Sequence, residues 1–303
     1  MSAETRYADW IAVDWGTSSL RAWAMRGKTP VAEARSDRGM GALQRHEFEP
    51  ALLDLIDPWL GQGRTTIVAC GMVGSRQGWT EAAYTAVPCT PAQGRPVRAS
   101  TDDPRIAVHI LPGLKQPDPA DVMRGEETQI AGHLAAEPGF DGVVCMPGTH
   151  TKWVQISAGE VVSFRTFMTG EMFALLSRQS VLRHSVGEGW DDDAFQAAVS
   201  DAIARPEATA ATLFNIRADG LLNAPAHDAA RARLSGLLIG AELAAARPYW
   251  LGQDVVLIGN AGFSQRYAQA LTPQGLTPRI SDATEATLRG LARAHDALEK
   301  ALT

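Results

Sequence analysis

The stretch Ile11-Ala-Val-Asp-Trp-Gly-Thr-Ser-Ser-Leu-Arg-Ala-Trp23 decides the fold, because its pattern returns later as Val143-Val-Cys-Met-Pro-Gly-Thr-His-Thr-Lys-Trp153. In both copies an apolar strand ends in Gly-Thr, and a basic residue and a tryptophan begin the next strand. Two such hairpins predict two similar lobes, each offering a tight loop to a shared cleft. Glycine lets the backbone approach a ligand closely, and turn N–H groups and hydroxyls suit anionic oxygens. Each loop alone could be an ordinary turn, whereas the pair, with an acid just before the first, favours phosphate binding.

The bulk composition is that of a soluble globular protein of two domains. The 303 residues exceed the usual size of one domain, and 45% of them are hydrophobic and 20% charged. A net charge of −6 without a lysine-rich run argues against nucleic acid as the main partner. There is no apolar signal core and no apolar run long enough for a bilayer, so we expect no membrane partner. Three scattered cysteines, Cys70, Cys89 and Cys145, fit a reducing compartment, and these features together predict a cytoplasmic protein.

Short strands that alternate with helices predict an α/β protein with mixed sheets. The expected strands are Trp10–Val13, Leu20–Met25, Val31–Arg35, Thr65–Cys70, Arg105–Leu111, Gly142–Met146, Lys152–Ile156, Val161–Phe167 and Asp254–Ile258. The expected helices are Glu47–Leu60, Asp121–Ala136, a mostly helical region from Gly170 to Arg247, a helix up to Leu271, and Ala283–Leu302. The repeat places a boundary near residue 136, which gives an N-terminal lobe of residues 1–136 and a C-terminal lobe of residues 137–303. The last helix could also pack back on the first lobe.

Asp14 is the candidate metal ligand and a candidate catalytic residue. A phosphoryl-transfer site needs a loop for the phosphates, a divalent metal and a group that orients or deprotonates the acceptor hydroxyl. Asp14 ends a buried strand next to Gly16, Thr17 and Ser18, where its carboxylate could act on Mg²⁺ directly or through water. A turn-initiating Asp that caps local N–H groups is the alternative, but the three donors beside it favour the metal. Arg21 could reach back to phosphate oxygens or lie on the strand surface.

Glu126 and Glu127 are the candidates for the catalytic base. They begin a predicted helix, where the helix dipole alone would favour acids. The preceding Arg124-Gly125, however, suggests a tight turn into the helix, and the site needs one base. Glu126 is the first choice and Glu127 the second for taking the proton of the acceptor hydroxyl as its oxygen attacks the γ-phosphorus.

Two further turns are candidates for nucleotide binding. Gly148, Thr149 and Lys152 form the second hairpin loop, and Gly259 with Asn260 follows a buried strand and precedes a helix. The second turn is only a weak nucleotide signal, because glycine-rich strand–helix turns are common in α/β proteins. Neither a P-loop nor a dinucleotide fingerprint is present in the sequence. His150 could touch a phosphate or be an ordinary hydrogen-bonded loop histidine.

These segments resemble the motifs of the actin-like ATPase superfamily, which includes sugar kinases, actin and heat-shock chaperones. The resemblance is closest to the 2-dehydro-3-deoxygalactonokinases. The segments that carry it are Asp14-Trp-Gly-Thr17, Gly71-Met-Val-Gly-Ser-Arg-Gln-Gly-Trp79, Asp121-Val-Met-Arg-Gly-Glu-Glu-Thr128, Met146-Pro-Gly-Thr-His-Thr-Lys-Trp153, Phe164-Arg-Thr-Phe-Met-Thr-Gly-Glu171 and Arg266-Tyr-Ala-Gln-Ala-Leu271. Asn260 departs from the adenosine motif of the superfamily, where a glycine is usual.

The resemblance implies ATP-dependent phosphorylation of 2-dehydro-3-deoxy-D-galactonate at its terminal hydroxyl, as a step of galactonate catabolism. It also implies two ribonuclease-H-like lobes with the cleft between them. The sugar-acid side and the first phosphate loop would belong to the N-terminal lobe. The adenosine side and the second phosphate loop would belong to the C-terminal lobe.

A keto-acid substrate requires a pocket for a carboxylate, preferably with an arginine fork. Arg76, Arg124 and Arg165 lie in family-like segments, and Ser75 and Glu171 could bind substrate hydroxyls. The sequence leaves open the epimer of the keto-acid, such as 2-dehydro-3-deoxygluconate, and whether the chain forms a homo-oligomer. The alternatives are a phosphohydrolase of the same fold, in which the paired glutamates would position water, and a nucleotide-driven switch protein.

Overall fold

The computed structural model describes residues 7–91, 94–223 and 227–302, except for the side chains of residues 227, 228 and 302. The predicted helical region from Gly170 to Arg247 therefore lies partly outside the described residues. The described strands are β1 Trp10–Trp15, β2 Leu20–Arg26, β3 Thr29–Ser36, β4 Thr65–Gly71, β5 Thr85–Ala86, β6 Val97–Arg98, β7 Ile106–Ile110, β8 Leu114–Gln116, β9 Asp121–Met123, β10 Gly142–Met146, β11 Thr151–Ser157, β12 Glu160–Phe167, β13 Val255–Gly259 and β14 Arg279–Asp282. The described helices are α1 Phe48–Ile56, α2 Glu126–Ala136, α3 Thr169–Gln179, α4 Asp192–Ala204, α5 Thr209–Leu222, α6 His227–Ala245, α7 Arg247–Trp250, α8 Ala261–Leu271 and α9 Ala283–Leu302.

The chain divides into two compact units that are interleaved along the sequence. Unit 1 comprises Met1–Phe140, Ser157–Ser163 and Ala283–Thr303, and unit 2 comprises Asp141–Ile156 and Phe164–Asp282. The first stretch of unit 1 ends four residues beyond the boundary expected near residue 136. The last helix, α9, belongs to unit 1.

The sheet of unit 1 has the order β3-β2-β1-β4-β7-β6. Its central strand β1 pairs antiparallel with β2 and parallel with β4. Side chains alternate between the two faces of a strand, and those of β1 are buried on both faces. Ile11, Val13 and Trp15 pack in the cluster that contains Phe48 of α1, whereas Trp10 and Ala12 pack in the cluster that contains Leu291 of α9.

The second large sheet repeats this arrangement with the order β12-β11-β10-β13-β14. Strand β10 pairs antiparallel with β11 and parallel with β13, as β1 does with β2 and β4. Cys145 and Trp153 of this sheet pack with Phe195 of α4 and Leu243 of α6. Two hairpins therefore occupy equivalent places in two mixed sheets, which confirms the predicted α/β class.

The helix predicted over residues 121–136 is correct only from Glu126 onward. Residues 121–123 form strand β9, which pairs with β8. Gly125 has a φ of +109°, which a residue in an α-helix cannot adopt, so α2 begins after it. The small sheet β5-β8-β9 was missed because its strands have only two or three residues.

Helix α9 packs directly on α2 within unit 1. A Cβ atom at Gly132 of α2 would lie 1.8 Å from the carbonyl oxygen of Ala286, and one at Gly290 of α9 would lie 1.9 Å from that of Thr128. Only glycine fits at both places, so the two helices meet backbone to backbone. In the described part of the chain, no helix is both long and apolar enough to cross a membrane.

Candidate active site

The first loop of unit 1 is the turn between β1 and β2. The N–H of Gly16 donates to the carbonyl of Ser19 over 2.9 Å, and the carbonyls of Gly16 and Thr17 accept from the N–H groups of Met40 and Gly41. A Cβ at Gly39 would lie 2.4 Å from the backbone of the loop, so the segment after β3 supports the loop closely. The loop carbonyls are thus turned to this support, while the hydroxyls of Thr17 and Ser18 belong to exposed residues.

Asp14 lies at the end of β1 and pairs with Arg21 of β2. The Asp14 Oδ2 and Arg21 Nη2 atoms are 2.5 Å apart, and the Asp14 side chain keeps 20% of its surface exposed. Arg21 Nη1 also donates to the hydroxyl of Thr284 in α9 over 3.4 Å. The structure thus places Arg21 as the partner of the carboxylate that the sequence assigned to the metal.

The described residues contain no cluster of three or more His, Cys, Asp or Glu that would hold a metal by itself. Mg²⁺ is commonly bound through one or two carboxylates together with substrate phosphates and water. A single, partly exposed carboxylate such as Asp14 therefore fits a Mg²⁺ ion that arrives with a nucleotide. It does not fit a metal caged by protein ligands alone.

Two glycines bring the backbone of Glu126 and Glu127 next to that of Asp14. Gly71 is the last residue of β4 and has a φ of +92°, and a Cβ there would lie 2.7 Å from the carbonyl oxygen of Trp15. A Cβ at Gly125 would lie 3.3 Å from the Cα of Gly71. The ends of β1 and β4 and the start of α2 therefore meet without a side chain between them.

The two glutamates at the start of α2 differ in their surroundings. Glu126 is half-buried, and its Oε2 accepts from the N–H of Arg124 over 2.9 Å. Glu127 is buried, and its Oε1 and Oε2 both accept from the N–H of Gly125, at 2.9 and 2.7 Å. Burial raises the pKa of Glu127 to about 8, and the neighbouring Glu126 carboxylate adds to the shift. Glu127 therefore holds its proton at neutral pH.

The raised pKa of Glu127 makes stability depend on pH. Because its pKa is higher in the folded than in the unfolded chain, its contribution to stability is full below about pH 4.5. That contribution is lost as the pH rises through about 8. Between about pH 4.5 and about pH 8, the wild type should lose at most about 1.4 kcal/mol of unfolding free energy per pH unit relative to Glu127→Gln. Urea unfolding from pH 5 to 9 measures the difference. The exposed Glu81→Gln should follow the wild type, and parallel wild-type and Glu127→Gln curves would contradict the assignment.

Arg124 and Ser75, both predicted to bind substrate, are buried in unit 1 with polar atoms that have no partner. The Nη2 of Arg124 donates to the carbonyl of Ala82 over 2.8 Å, and its Cζ lies 4.2 Å from the centre of the Tyr84 ring. Its Nε and Nη1, and the Oγ of Ser75, make no hydrogen bond in the structure. Buried polar groups almost always have partners, so these atoms indicate a ligand or ordered water. Arg76, by contrast, is exposed.

The other two residues predicted to bind substrate, Arg165 and Glu171, lie in unit 2. Arg165 is exposed on β12. Glu171 lies in the first turn of α3, and its Oε2 is 2.6 Å from the Nε2 of His150 in the second loop. Its N–H also donates to the carbonyl of Thr149 over 2.9 Å. Glu171 thus supports the second loop, and His150 is a hydrogen-bonded loop histidine.

Gly148 and Thr149 of the second loop line a cavity of about 290 Å³ in unit 2. Helices α3, α6 and α8 supply the rest of its wall, namely Thr169, Gly170, Phe173, Ala174, Ser177, Arg178, Arg231, Ser235, Leu238, Ile239, Phe263, Arg266 and Tyr267. Lys152 is buried at the start of β11, just after this loop.

Gly259 and Asn260 lie outside this cavity wall. A Cβ at Gly259 would lie 3.0 Å from the carbonyl oxygen of Pro147, which places the turn beside the second loop. Asn260 is the N-cap of α8, and its side chain accepts from the N–H of Gly262 over 2.9 Å. Asparagine is among the preferred N-cap residues, which is a sufficient reason for its place in the turn.

The cavity combines aromatic rings with arginines that the sequence did not single out. The guanidinium of Arg266 lies 4.0 Å from the centre of the Trp190 ring, and that of Arg231 lies 5.2 Å from the centre of the Phe173 ring. Burial and the nearby Arg231 lower the pKa of Arg266. Apolar walls with a few charged groups suit an anionic ligand that carries an aromatic ring.

Two units with matching mixed sheets, each with a Gly-Thr loop after its first strand, have the two-lobed α/β fold of the actin-like ATPases. The family model described as 2-keto-3-deoxy-galactonokinase matches residues 14–294. The chain belongs to this family of kinases, which transfer phosphate to an alcohol group.

The relatives match nearly the whole chain. A probable 2-dehydro-3-deoxygalactonokinase of Rhizobium meliloti (strain 1021) is 41% identical, covering 95% of this chain and 97% of the relative. The 2-dehydro-3-deoxygalactonokinase of Escherichia coli (strain K12) is 35% identical, covering 95% of this chain and 98% of the relative. A crystal structure from Sinorhizobium meliloti named for the same activity has a TM-score of 0.88 at 40% identity, covering 95% of this chain and 99% of that one.

Proposed function

We propose that the protein transfers the γ-phosphate of ATP to the terminal hydroxyl of 2-dehydro-3-deoxy-D-galactonate, giving the 6-phosphate. Family membership over residues 14–294 supports the reaction class, and the names of the two full-length relatives support the substrate. Such a reaction belongs to the catabolism of galactonate. The observation in this chain that carries the proposal is the buried Arg124 with two unpartnered guanidinium nitrogens.

Arg124 suits the carboxylate of a keto-acid. The Nε and Nη1 donors lie on different edges of the planar guanidinium, so a ligand with more than one acceptor group, such as the carboxylate and a second oxygen of a keto-acid, could accept from both. The Oγ of Ser75 is a third buried atom without a partner, in the segment that also supplies Gly74 against the guanidinium. A bound keto-acid, with its carboxylate and its other oxygens, would satisfy these donors and remove the cost of leaving them unpaired.

The cavity of unit 2 suits the nucleotide. Phe173 and Phe263 offer apolar surface for a base, and Arg231 and Arg266 offer positive charge beside the Gly148–Thr149 loop. The loop of unit 1 offers Thr17 and Ser18 to phosphate oxygens. Mg²⁺ held at Asp14 would screen the phosphate charge during transfer.

Glu126 is the better candidate for the base. A general base must be ionised to accept the hydroxyl proton, and the pKa of about 8 keeps Glu127 largely neutral at pH 7. Glu126 is half-buried on the same turn, next to Gly125. We therefore assign proton abstraction to Glu126 and the support of the turn at Gly125 to Glu127.

The test is ADP release with Mg-ATP against 2-dehydro-3-deoxygalactonate, its gluconate epimer, galactonate, gluconate and no acceptor. Turnover with the galactonate-derived keto-acid alone supports the proposal. Turnover with the gluconate epimer would keep the kinase and change its substrate. ADP release without an acceptor would point to a phosphohydrolase of the same fold.

Arg124→Met should raise the KM for the sugar acid about 100-fold, because charge-assisted hydrogen bonds to a buried carboxylate are lost. The KM for ATP should stay within about three-fold of the wild-type value, since Arg124 is not among the residues that we assign to the nucleotide. Steady-state kinetics with each substrate varied in turn measures the split. Arg35→Met, which removes an exposed arginine of β3, is the matched control. Equal KM values for the sugar acid in the two variants would refute the role of Arg124.

A further inference from the structure

Glu242 is a buried carboxylate in unit 2 that has no part in the proposed reaction. It lies on α6 with 3% of its surface exposed. Its Oε1 accepts from the indole N–H of Trp153 over 2.7 Å, and its Oε2 accepts from the hydroxyls of Tyr267, over 2.7 Å, and Thr169. No lysine or arginine of the described residues lies within ion-pair distance of it. Three neutral donors therefore hold this carboxylate in place of a cation.

The direction of the hydrogen bonds follows from the donors available. The indole N–H of Trp153 can only donate, so Glu242 Oε1 must accept. The single hydroxyl proton of Tyr267 points to Glu242 Oε2, so the Thr151 hydroxyl, 2.9 Å from the Tyr267 oxygen, donates to it. The network is thus a chain of donors from Thr151 through Tyr267 to Glu242. An ionised carboxylate is the acceptor that satisfies all of them.

The donors come from two helices that wall the cavity and from the strand that follows the second loop. Trp153 and Thr151 lie on β11 just after the second loop, Thr169 begins α3, and Tyr267 lies on α8. Thr169 and Tyr267 themselves line the cavity. Glu242 lies one turn of α6 beyond Leu238, which also lines it. One carboxylate thus joins β11, α3 and α8 to α6 behind the cavity.

Helix α3 in turn carries the second loop. A Cβ at Gly170 would lie 2.3 Å from the carbonyl oxygen of Gly148 and 2.9 Å from the Cα of Thr149. The N–H of Glu171 donates to the carbonyl of Thr149 over 2.9 Å. A shift of the α3 N-terminus would therefore move the Gly148–Thr149 loop with it.

We propose that Glu242 is a positioning residue for the nucleotide. By holding Thr169, Tyr267 and Trp153, its carboxylate sets the second loop and the cavity wall in the arrangement that receives the phosphates and the base. This inference rests on the proposed function, because it takes the cavity of unit 2 as the ATP site. Glu242 touches no substrate in this role and acts through the groups that it holds.

The protonation state of Glu242 gives a second readout. Burial raises its pKa to about 7, and the three hydrogen bonds oppose the shift. The titratable groups that face it are Tyr267 of α8 and Cys145 of β10, whose own pKa values burial raises. A proton on Oε2 would compete with the hydroxyl hydrogens of Thr169 and Tyr267. Nucleotide affinity should therefore be higher above pH 7 than below it.

The test compares Glu242→Leu and Glu242→Gln with Glu207→Gln, an exposed control in the same unit. Calorimetry with ADP should give a Kd raised about 10-fold in Glu242→Leu, and the KM for ATP should rise in proportion. The KM for the sugar acid should stay within about two-fold. Glu242→Gln imitates the protonated acid, so it should match the wild type below pH 6 and bind more weakly above pH 8. Titration of the nucleotide itself is common to all variants and cancels in the comparison.

An unchanged ADP Kd in folded Glu242→Leu would overturn the inference alone, as would a Glu242→Gln variant whose affinity follows that of the wild type at every pH. If Glu242→Leu does not fold, Glu242→Gln and Thr169→Val, which removes one donor, decide the question by the same Kd measurement. A different result would be that the wild type releases ADP in the coupled assay while Phe173→Ala binds ADP with the same affinity as the wild type. These two results together would show that this cavity is not the nucleotide site. That outcome would also refute the inference, but the kinase reaction would stand.

Discussion

Asp14→Asn should lower kcat about 10³-fold, because the carboxylate that we assign to Mg²⁺ would lose its charge. Asparagine keeps the shape of the side chain, so the fold of the hairpin should remain. The apparent affinity for Mg²⁺ should fall together with kcat. Steady-state rates over a range of Mg²⁺ concentrations at saturating ATP and sugar acid measure both effects.

The control for Asp14→Asn is Asp54→Asn. Asp54 also pairs with an arginine, Arg38, over 2.7 Å, but on the surface, where such pairs contribute little. The control therefore removes an Asp–Arg pair without touching the first loop. A kcat near that of Asp54→Asn would mean that Asp14 serves only Arg21 and the turn, and the metal would have to be placed elsewhere.

Glu126→Gln should lower kcat by about 10²- to 10⁴-fold, the usual contribution of a positioned general base. The substitution removes one charge, but it keeps the oxygen that accepts from the Arg124 N–H, so ATP binding should change little. Glu127→Gln should retain most of the activity at pH 7, since Glu127 is largely protonated there. Rates of both variants at saturating substrates, from pH 6 to 9, measure the difference.

The two glutamate variants control each other, because they neutralise neighbouring carboxyls on one turn. An active Glu126→Gln with an inactive Glu127→Gln would transfer the role of base to Glu127. Two active variants would place the base outside the start of α2. Circular dichroism should show both variants folded before the rates are compared.

The sheets could be predicted from the sequence because their signals are local. The two hairpins have apolar strands that end in Gly-Thr, and this pattern alone identified β1, β2, β10 and β11 in the right order. The start of α2 failed for a local reason as well. An apolar and acidic run read as helix from Asp121, but the left-handed φ of Gly125 allows the helix only after it.

The sequence suggests site residues where they are close in the chain, and it suggests none where residues come together only on folding. Asp14 and the first loop belong to one hairpin. The cavity of unit 2 is built from faces of α3, α6 and α8, so Arg231, Phe263 and Arg266 come together only when three helices pack. The only signal for them was the spacing of three between Phe263 and Arg266, which any helix face would show.

Burial also separates candidate residues that the sequence leaves equal. Three arginines were candidates for the substrate carboxylate, and nothing in their spacing separates them. The structure distinguishes them because Arg124 alone of the three is buried, with two guanidinium nitrogens unpaired. Glu242 lies in an alanine-rich helix without a motif, and its partners are up to 89 residues away in sequence.

The backbone contact between α2 and α9 has a consequence for biosynthesis. Helix α9 leaves the ribosome after every residue of unit 2, yet it covers one face of the β1–β4 pair and fills the groove at Gly132. Nascent unit 1 therefore waits with Trp10, Ala12 and Val68 uncovered while the whole of unit 2 is made. Domains usually complete their folding in the order of synthesis, N-terminal first. Of the two units, unit 1 begins first along the chain and is completed last.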